Sequence, residues 1–207
     1  MLKLNTLSGF GSGVSGGAGL RVPVKGYVMG GGGANDTEIL TYSTSTMATS
    51  TDSDMTTNNV AHEGMGDNDT YAYVTGGNTG AKSSATYSSE TYALNTDSDL
   101  SVARLDHGCC SDLGTFGYSV GGNGISADPN YVSTTDKITF ATSVNAAETD
   151  SDLSVATQNI NGSNDGATYA YFAGGSKDDP SEILSTTQQM TLASGVIAIN
   201  TDSSISS

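Results

Sequence analysis

The amino-acid sequence predicts an all-β protein made of about four small four-stranded units. Tyr-x-x-Gly-Gly occurs four times along the 207 residues. A Thr-Asp-Ser motif precedes each of the last three occurrences, and 25 residues separate its Thr from the first Gly every time. The chain is rich in Thr, Val and Tyr, which favour strands, and in Gly, Asn and Asp, which favour turns. A spacing this constant indicates a structural repeat and not low sequence complexity.

Each Tyr-x-x-Gly-Gly ends a segment that places Gly or Ala between two large residues, as in Phe116-Gly117-Tyr118. This pattern predicts a strand that is bulky on one face and nearly bare on the other, so that a neighbouring sheet can approach the bare face closely. The glycine pair then supplies the positive φ of a turn. We expect the four tyrosines to be packed against a neighbouring strand or sheet. The motif residues are Tyr27, Gly30 and Gly31; Tyr73, Gly76 and Gly77; Tyr118, Gly121 and Gly122; and Tyr171, Gly174 and Gly175.

A second strand is predicted upstream of each Thr-Asp-Ser motif, where Thr lies between two apolar residues with a period of two. These segments are 40–42, 85–87, 138–140 and 190–192. A fourth copy of the motif begins at Thr201. An apolar anchor follows four residues after the Thr of each copy, at Met55, Leu100, Leu153 and Ile205. We interpret the motif as a hairpin turn and the anchor as the start of the next strand. Segments 60–66 and 104–111 are predicted to supply the remaining strand.

These elements divide the chain into a Gly/Ser-rich N-terminal arm, 1–19, and a repeat domain, 20–207, with units 20–58, 59–103, 104–156 and 157–207. A Gly/Ser run of this kind is typical of a flexible tether. The two later units are longer by about seven residues, and the extra length falls in a loop after the Gly-Gly pair. One unit cannot bury both faces of its sheet, so the units are expected to pack on one another.

The charge balance excludes several classes of partner. The chain has 7 Lys and Arg against 22 Asp and Glu, a net charge of -15. Phosphate backbones bind clustered Lys and Arg, which the sequence lacks, so we expect no nucleic-acid partner. No apolar run approaches the roughly 18 residues of a membrane span, and we expect no membrane partner.

Calcium is one interpretation of the acidic motifs, because alternate carboxylates suit an ion that prefers oxygen ligands. The candidate ligands are Asp52, Asp54, Asp97, Asp99, Asp150 and Asp152. A turn explains the same residues, since Asp and Ser side chains bond nearby backbone N–H groups, and we favour the turn.

A second possible metal set is Asp106, His107, Cys109 and Cys110, with His62 at the matching position one unit earlier. We favour a structural role for the histidines, and we expect the cysteines to be free thiols or to form an intermolecular bond. The chain has no Gly-x-Ser-x-Gly elbow and only two His residues. We therefore expect a protein that is not an enzyme and holds no cofactor.

A hydrophobic strand that ends in Gly-Gly, in a four-stranded repeat of about 50 residues, resembles the kelch repeat of β-propellers. The chain is also similar to Ser/Thr/Gly-rich kelch-like repeats of marine phage structural proteins, through the segments Leu100-Ser-Val-Ala-Arg104 and Leu153-Ser-Val-Ala156. The kelch resemblance implies a propeller of about four small blades. The alternative is an open β-repeat array completed by oligomerisation.

The phage resemblance implies a non-enzymatic virion structural protein, such as a capsid decoration, knob or tail-fibre component. It would bind other virion proteins through the N-terminal arm, could contact a host-surface glycan or protein, and would be a homo-oligomer or multicopy component. The alternative is an extracellular or cell-surface module that binds a glycan or a protein.

Overall fold

The computed structural model describes residues 25–31, 34–41, 44–50, 61–67, 70–78, 83–86, 91–94, 99–126, 130–177 and 182–200. Within these residues the chain is all-β, with nineteen strands, a single 3₁₀ turn at Thr149–Ser151 and no α-helix. No helix there could cross a membrane. The predicted arm, 1–19, lies outside the described residues.

Four antiparallel sheets follow one another along the chain, and none of them closes on itself. The first sheet has the strand order β1 (Lys25–Gly31), β2 (Ala34–Thr41) and β3 (Thr46–Ser50). The second has the order β4 (His62–Gly66), β5 (Tyr71–Gly76), β6 (Ser83–Thr86) and β7 (Thr91–Leu94). The third has the order β9 (Gly108–Ser111), β10 (Phe116–Val120), β12 (Thr135–Thr139) and β13 (Val144–Ala147). The fourth has the order β14 (Asn161–Asn164), β15 (Tyr169–Ala173), β18 (Thr187–Thr191) and β19 (Ile197–Asn200).

Two small two-stranded sheets lie outside these four. Strand β8 (Arg104–Leu105) pairs with β11 (Asn123–Gly124), and β16 (Ser176–Lys177) pairs with β17 (Glu182–Ile183). The prediction of one strand over 104–111 was therefore wrong in part. Asp106 has a φ of 54°, which breaks the segment into β8 and β9.

The Gly-Gly pairs form the predicted turns in the second, third and fourth sheets. Their φ values run from 65° to 110°. The strands that carry the tyrosines are also confirmed, since Tyr73, Tyr118 and Tyr171 occupy matching positions of β5, β10 and β15. The period-two strands lie on β2, β6, β12 and β18, the partners of the tyrosine strands. In the first sheet, Gly30 and Gly31 are the last two residues of β1.

The interpretation of Thr-Asp-Ser as a hairpin turn was wrong where the structure describes the motif in full. Thr149–Ser151 forms a 3₁₀ turn that leads from β13 of the third sheet toward β14 of the fourth. The anchor Leu153 lies in this connection and not at the start of a strand. It is 4% exposed and packs in the core between the two sheets.

Another turn, which was not predicted from the sequence, recurs between the first two strands of the second, third and fourth sheets. One aspartate begins each turn and accepts backbone N–H groups two to four residues later. These aspartates are Asp67, Asp112 and Asp165. The bonds lower the pKa of Asp165, with the N–H of Thr168 as the largest cause.

The second, third and fourth sheets stack face to face, and strand β9 lies between two neighbours. It contacts β4 of the second sheet and β14 of the fourth. Successive residues of a strand point to opposite faces, so Cys109 joins the core with the second sheet and Cys110 joins the core with the fourth. Both thiols are free and buried in the folded chain.

The bare face of the tyrosine strand allows close approach, as the sequence predicts. A Cβ on Gly117 would overlap the Met65 sulfur and lie 2.9 Å from Ile138 Cγ2. On the other face of β10, Tyr118 is 1% exposed and its hydroxyl donates to the Leu192 carbonyl of the fourth sheet at 3.0 Å. Tyr73 stacks on Phe140 of the third sheet. Tyr27 is also buried, whereas Tyr171 is only half-buried.

Candidate functional site

The best candidate for a binding surface is a set of polar residues that the long loops bring together, which we call the loop platform. It consists of Asn123, Tyr131, Gln158 and Ser176. Asn123 begins β11 and Ser176 begins β16, so each small sheet contributes one residue. The platform therefore lies at the loops in which the sequence places the extra length.

Gln158 connects the two loops. Its backbone exchanges both hydrogen bonds with Ser176 at 3.0 Å. Its side-chain Oε1 accepts from Asn123 Nδ2 at 2.9 Å, and its Nε2 donates to the Tyr131 hydroxyl at 2.6 Å. Each of these side chains is uncharged. Because the Tyr131 oxygen accepts from Gln158, its own proton is directed to another acceptor.

Apolar side chains are exposed around this platform. Ile125 follows β11, Val155 precedes Gln158, and Ile183 ends β17, and they are 42%, 40% and 85% exposed. Amide and hydroxyl groups beside exposed apolar groups suit a ligand that is uncharged and amphipathic, such as a sugar or a polar protein surface. The sequence predicted a long loop here but did not identify these residues, since nothing in their local pattern distinguishes them.

A second cluster of reactive residue types is buried between the second and third sheets. Thr75 Oγ1 lies 2.9 Å from His107 Nε2, 3.1 Å from Ser119 Oγ and 3.4 Å from Cys109 Sγ. Burial lowers the pKa of His107 well below its usual value, and the nearby charges of Arg104 and His62 act in the same direction. The imidazole is therefore neutral near pH 7.

The cysteines are not activated. Burial raises the pKa of Cys109 to about 12, because the charged thiolate is poorly solvated there. It also raises the pKa of Cys110, which lies in an apolar core. Since a thiol reacts as its thiolate, both side chains are suited to packing and hydrogen bonding.

The predicted metal sets are only partly brought together. His107 and Cys109 share Thr75 as a neighbour, whereas Cys110 points to the opposite face of β9. In the part of the chain that the structure describes, no three His, Cys, Asp or Glu side chains are grouped to hold a metal ion. The zinc or copper hypothesis therefore has no complete ligand set among these residues.

Half of the calcium candidates can be placed. Asp52, Asp54 and Asp97 lie outside the described residues. Asp99 and Asp150 are exposed. Asp152 accepts the backbone N–H of Thr135 at 2.9 Å, and the Thr135 hydroxyl donates to the Ser151 carbonyl at 2.6 Å. In this copy of the motif the Asp152 carboxylate therefore bonds to the backbone of the distant strand β12 and not to the N–H groups of a local turn.

Arg104 has a structural partner that the sequence did not reveal. It forms a 2.6 Å ion pair with Asp136, and both side chains are completely buried. The same guanidinium donates to the carbonyl oxygens of Ser119 and Thr134. The pair ties the start of the third unit to β10 and β12, and it lies outside the loop platform.

The chain was compared with protein families, curated proteins and solved structures. No family model matches it, and no curated protein matches it. The solved structure described as "Structure of YjhT" is similar, with a TM-score of 0.67 and 10% sequence identity. The match covers 87% of this chain and 62% of that one, so this chain spans less than two thirds of its length. At this identity the likeness establishes a shared β-rich fold.

Proposed function

We propose that this chain is a non-enzymatic structural protein of a phage particle that presents its loop platform to an external surface. In this proposal the stacked sheets are kelch-like blades of a propeller-type array. They act as a rigid scaffold, and residues 1–19 attach the array to other virion proteins. The phage setting rests on the resemblance of Leu100–Arg104 and Leu153–Ala156 to phage repeats.

One observation carries the binding role. The two units with extra loop length fold that length into ordered strand pairs, and Gln158 joins one pair to the other. A loop that only connected two strands would not need this network. Binding residues are often placed on loops that a rigid scaffold positions, and the platform has this arrangement.

The first experiment tests the setting. Particles are purified from the phage that encodes this chain, and their proteins are quantified by mass spectrometry. The proposal predicts this protein at a fixed copy number per particle. Its absence from washed particles would overturn the virion role.

The second experiment tests the platform. The purified protein is applied to an array of bacterial surface glycans, together with Gln158→Ala, Tyr131→Ala and the control Thr142→Ala. Thr142 is exposed in the turn after β12, at the opposite end of this strand from the long loop. The proposal predicts binding that both platform substitutions weaken and the control does not. Equal binding by all variants would place the ligand elsewhere.

The alternative function is an extracellular or cell-surface module that binds a glycan or a protein. The same platform supports it, because its chemistry is independent of the phage resemblance. Platform-dependent glycan binding by a protein that is absent from particles would favour this alternative.

A further inference from the structure

In the second and third sheets, one face packs against the sheet that follows in the chain. We define the tyrosine face as the side of a sheet to which Tyr27, Tyr73, Tyr118 or Tyr171 points. The Tyr73 ring stacks on Phe140 of the third sheet, with centroids 5.2 Å apart and an interplanar angle of 11°. Tyr118 donates to the Leu192 carbonyl of the fourth sheet. Both tyrosines are 1% exposed.

The tyrosine face of the fourth sheet is built in the same way but is left open. Tyr169 and Tyr171 are tilted by 55° with centroids 6.5 Å apart, and the matching pair Tyr71 and Tyr73 is tilted by 54° at 5.8 Å. Yet Tyr169 is 38% exposed and Tyr171 is half-buried. The fourth sheet therefore presents the contact surface of an internal sheet without a full covering.

This open face is uncharged. Strands β14, β15, β18 and β19 contain no Asp, Glu, Lys or Arg. The chain as a whole carries a net charge of -15, so most of its surface repels a second copy. The strands of the fourth sheet contribute none of this charge.

The complementary surface lies on the first sheet. We define the receiving face as the side opposite the tyrosine face. On the third and fourth sheets its central residues, Ile138 and Met190, are 1% and 0% exposed. Leu40 occupies the matching position of the first sheet, opposite Gly26 as Ile138 is opposite Gly117, and it is half-buried. Glu38 of the same face is exposed.

We propose that the tyrosine face of the fourth sheet binds the receiving face of the first sheet in a second copy of this chain. The contact continues the stacking that joins the second, third and fourth sheets. Its polar groups are also complementary. Gln189 Nε2 donates to the Tyr171 hydroxyl oxygen, which leaves the Tyr171 proton to donate, and the Glu38 carboxylate accepts. Such a head-to-tail contact produces a ring if its rotation closes and a filament otherwise.

The purified 207-residue chain is tested by analytical ultracentrifugation over a concentration series. We expect the wild-type chain to associate. Tyr171→Arg and Leu40→Arg each place a charge on one of the two faces, and each should weaken association by about thirtyfold or more, as for a central interface residue. Val144→Arg is the matched control, because Val144 is 48% exposed on β13 of the third sheet and so lies on neither the fourth nor the first sheet. Circular dichroism verifies folding, and Tyr169→Arg replaces Tyr171→Arg if the latter does not fold.

Mixing the two variants distinguishes the head-to-tail contact from its alternatives. The Leu40→Arg chain keeps an intact tyrosine face, and the Tyr171→Arg chain keeps an intact receiving face. The mixture should therefore form a heterodimer although neither variant associates alone. Association of Leu40→Arg by itself would show that two tyrosine faces meet, and would overturn the proposal. A wild-type chain that stays monomeric at all concentrations would overturn it as well.

Discussion

Asp136 and Gln188 occupy the same position in consecutive sheets and make the same bond. Each side chain accepts the backbone N–H of a serine that lies one residue beyond an apolar anchor: Ser101 to Asp136 at 3.1 Å and Ser154 to Gln188 at 2.9 Å. In the third sheet the carboxylate is neutralised by buried Arg104. In the fourth sheet the residue that matches Arg104 is Thr157. The buried Arg104–Asp136 ion pair and the uncharged residues Thr157 and Gln188 thus occupy the same two positions of the repeat.

The ion pair should therefore be replaceable as a unit. Arg104→Thr leaves the Asp136 carboxylate buried without its cation, and we expect it to cost about 3–5 kcal/mol of unfolding free energy. Asp136→Gln leaves the guanidinium unpaired at a similar cost. The double variant recreates the residues of the fourth sheet and should lose about 2 kcal/mol less than the sum. Urea denaturation of all four proteins measures this coupling, and additive losses would contradict the equivalence.

The buried His107 predicts sensitivity to acid. Its pKa in the folded chain is well below 6.5, so the unfolded chain binds a proton first as the pH falls. The contribution of His107 to the unfolding free energy is therefore complete above about pH 6.5. Below that pH it declines by at most about 1.4 kcal/mol per pH unit. His107→Gln keeps a hydrogen-bonding group near Thr75 but does not titrate. Unfolding free energies measured from pH 7.5 to 5 should fall less steeply for the variant, and parallel curves would refute the prediction.

The two adjacent cysteines should differ in their tolerance of serine. Cys109 Sγ lies 3.4 Å from both Ser119 Oγ and Thr75 Oγ1, so a hydroxyl at this position has partners. Cys110 packs among Tyr118, Ala170 and other apolar side chains. We expect Cys110→Ser to cost about 1–3 kcal/mol more than Cys109→Ser, because its hydroxyl is buried without such partners. Thermal or urea unfolding compares the two, and equal losses would contradict the opposite orientation of the side chains.

Close approach of β9 and β14 can be tested with one methyl group. A Cβ on Gly162 would overlap the Cys109 carbonyl oxygen, whereas a Cβ on Gly114 would meet nothing within 4 Å. Gly162→Ala should therefore destabilise the chain by about 1–3 kcal/mol or more. Gly114→Ala is the control and should be within about 1 kcal/mol of wild type. A neutral Gly162→Ala would contradict the close approach of the two strands.

The sequence predicted the repeating tyrosine and glycine positions of this fold and missed the contacts that occur once. Tyr118 and Gly121 have counterparts at the same spacing in the other units, because the corresponding strand of each sheet ends at the same position and packs on a neighbouring sheet. The Arg104–Asp136 pair and the Gln158 network join residues about 30 positions apart, and each depends on the position of neighbouring strands. The local sequence does not predict how neighbouring strands are placed, so these contacts could be identified only from the structure.

The acidic motifs show the opposite error. Thr149–Ser151 has the composition of a hairpin turn, but composition does not indicate whether the next strand joins the same sheet. Here it joins the next one, and the turn becomes a connection between units. The aspartates that do form hairpin turns, such as Asp112, were overlooked although each is followed at a fixed distance by Thr and an aromatic residue, as in Asp112-Leu-Gly-Thr-Phe116.

The stacking of one sheet's tyrosine on the next sheet is tested most directly by a double-mutant cycle on Tyr73 and Phe140. Unfolding free energies are measured for wild type, Tyr73→Leu, Phe140→Leu and the double variant. Because the two rings are stacked at 5.2 Å, we predict a coupling of about 0.5–1.5 kcal/mol. Tyr73→Leu combined with Phe172→Leu is the control and should be additive, since these residues lie in different cores. Additivity of Tyr73 and Phe140 would contradict the stacked arrangement of the repeat.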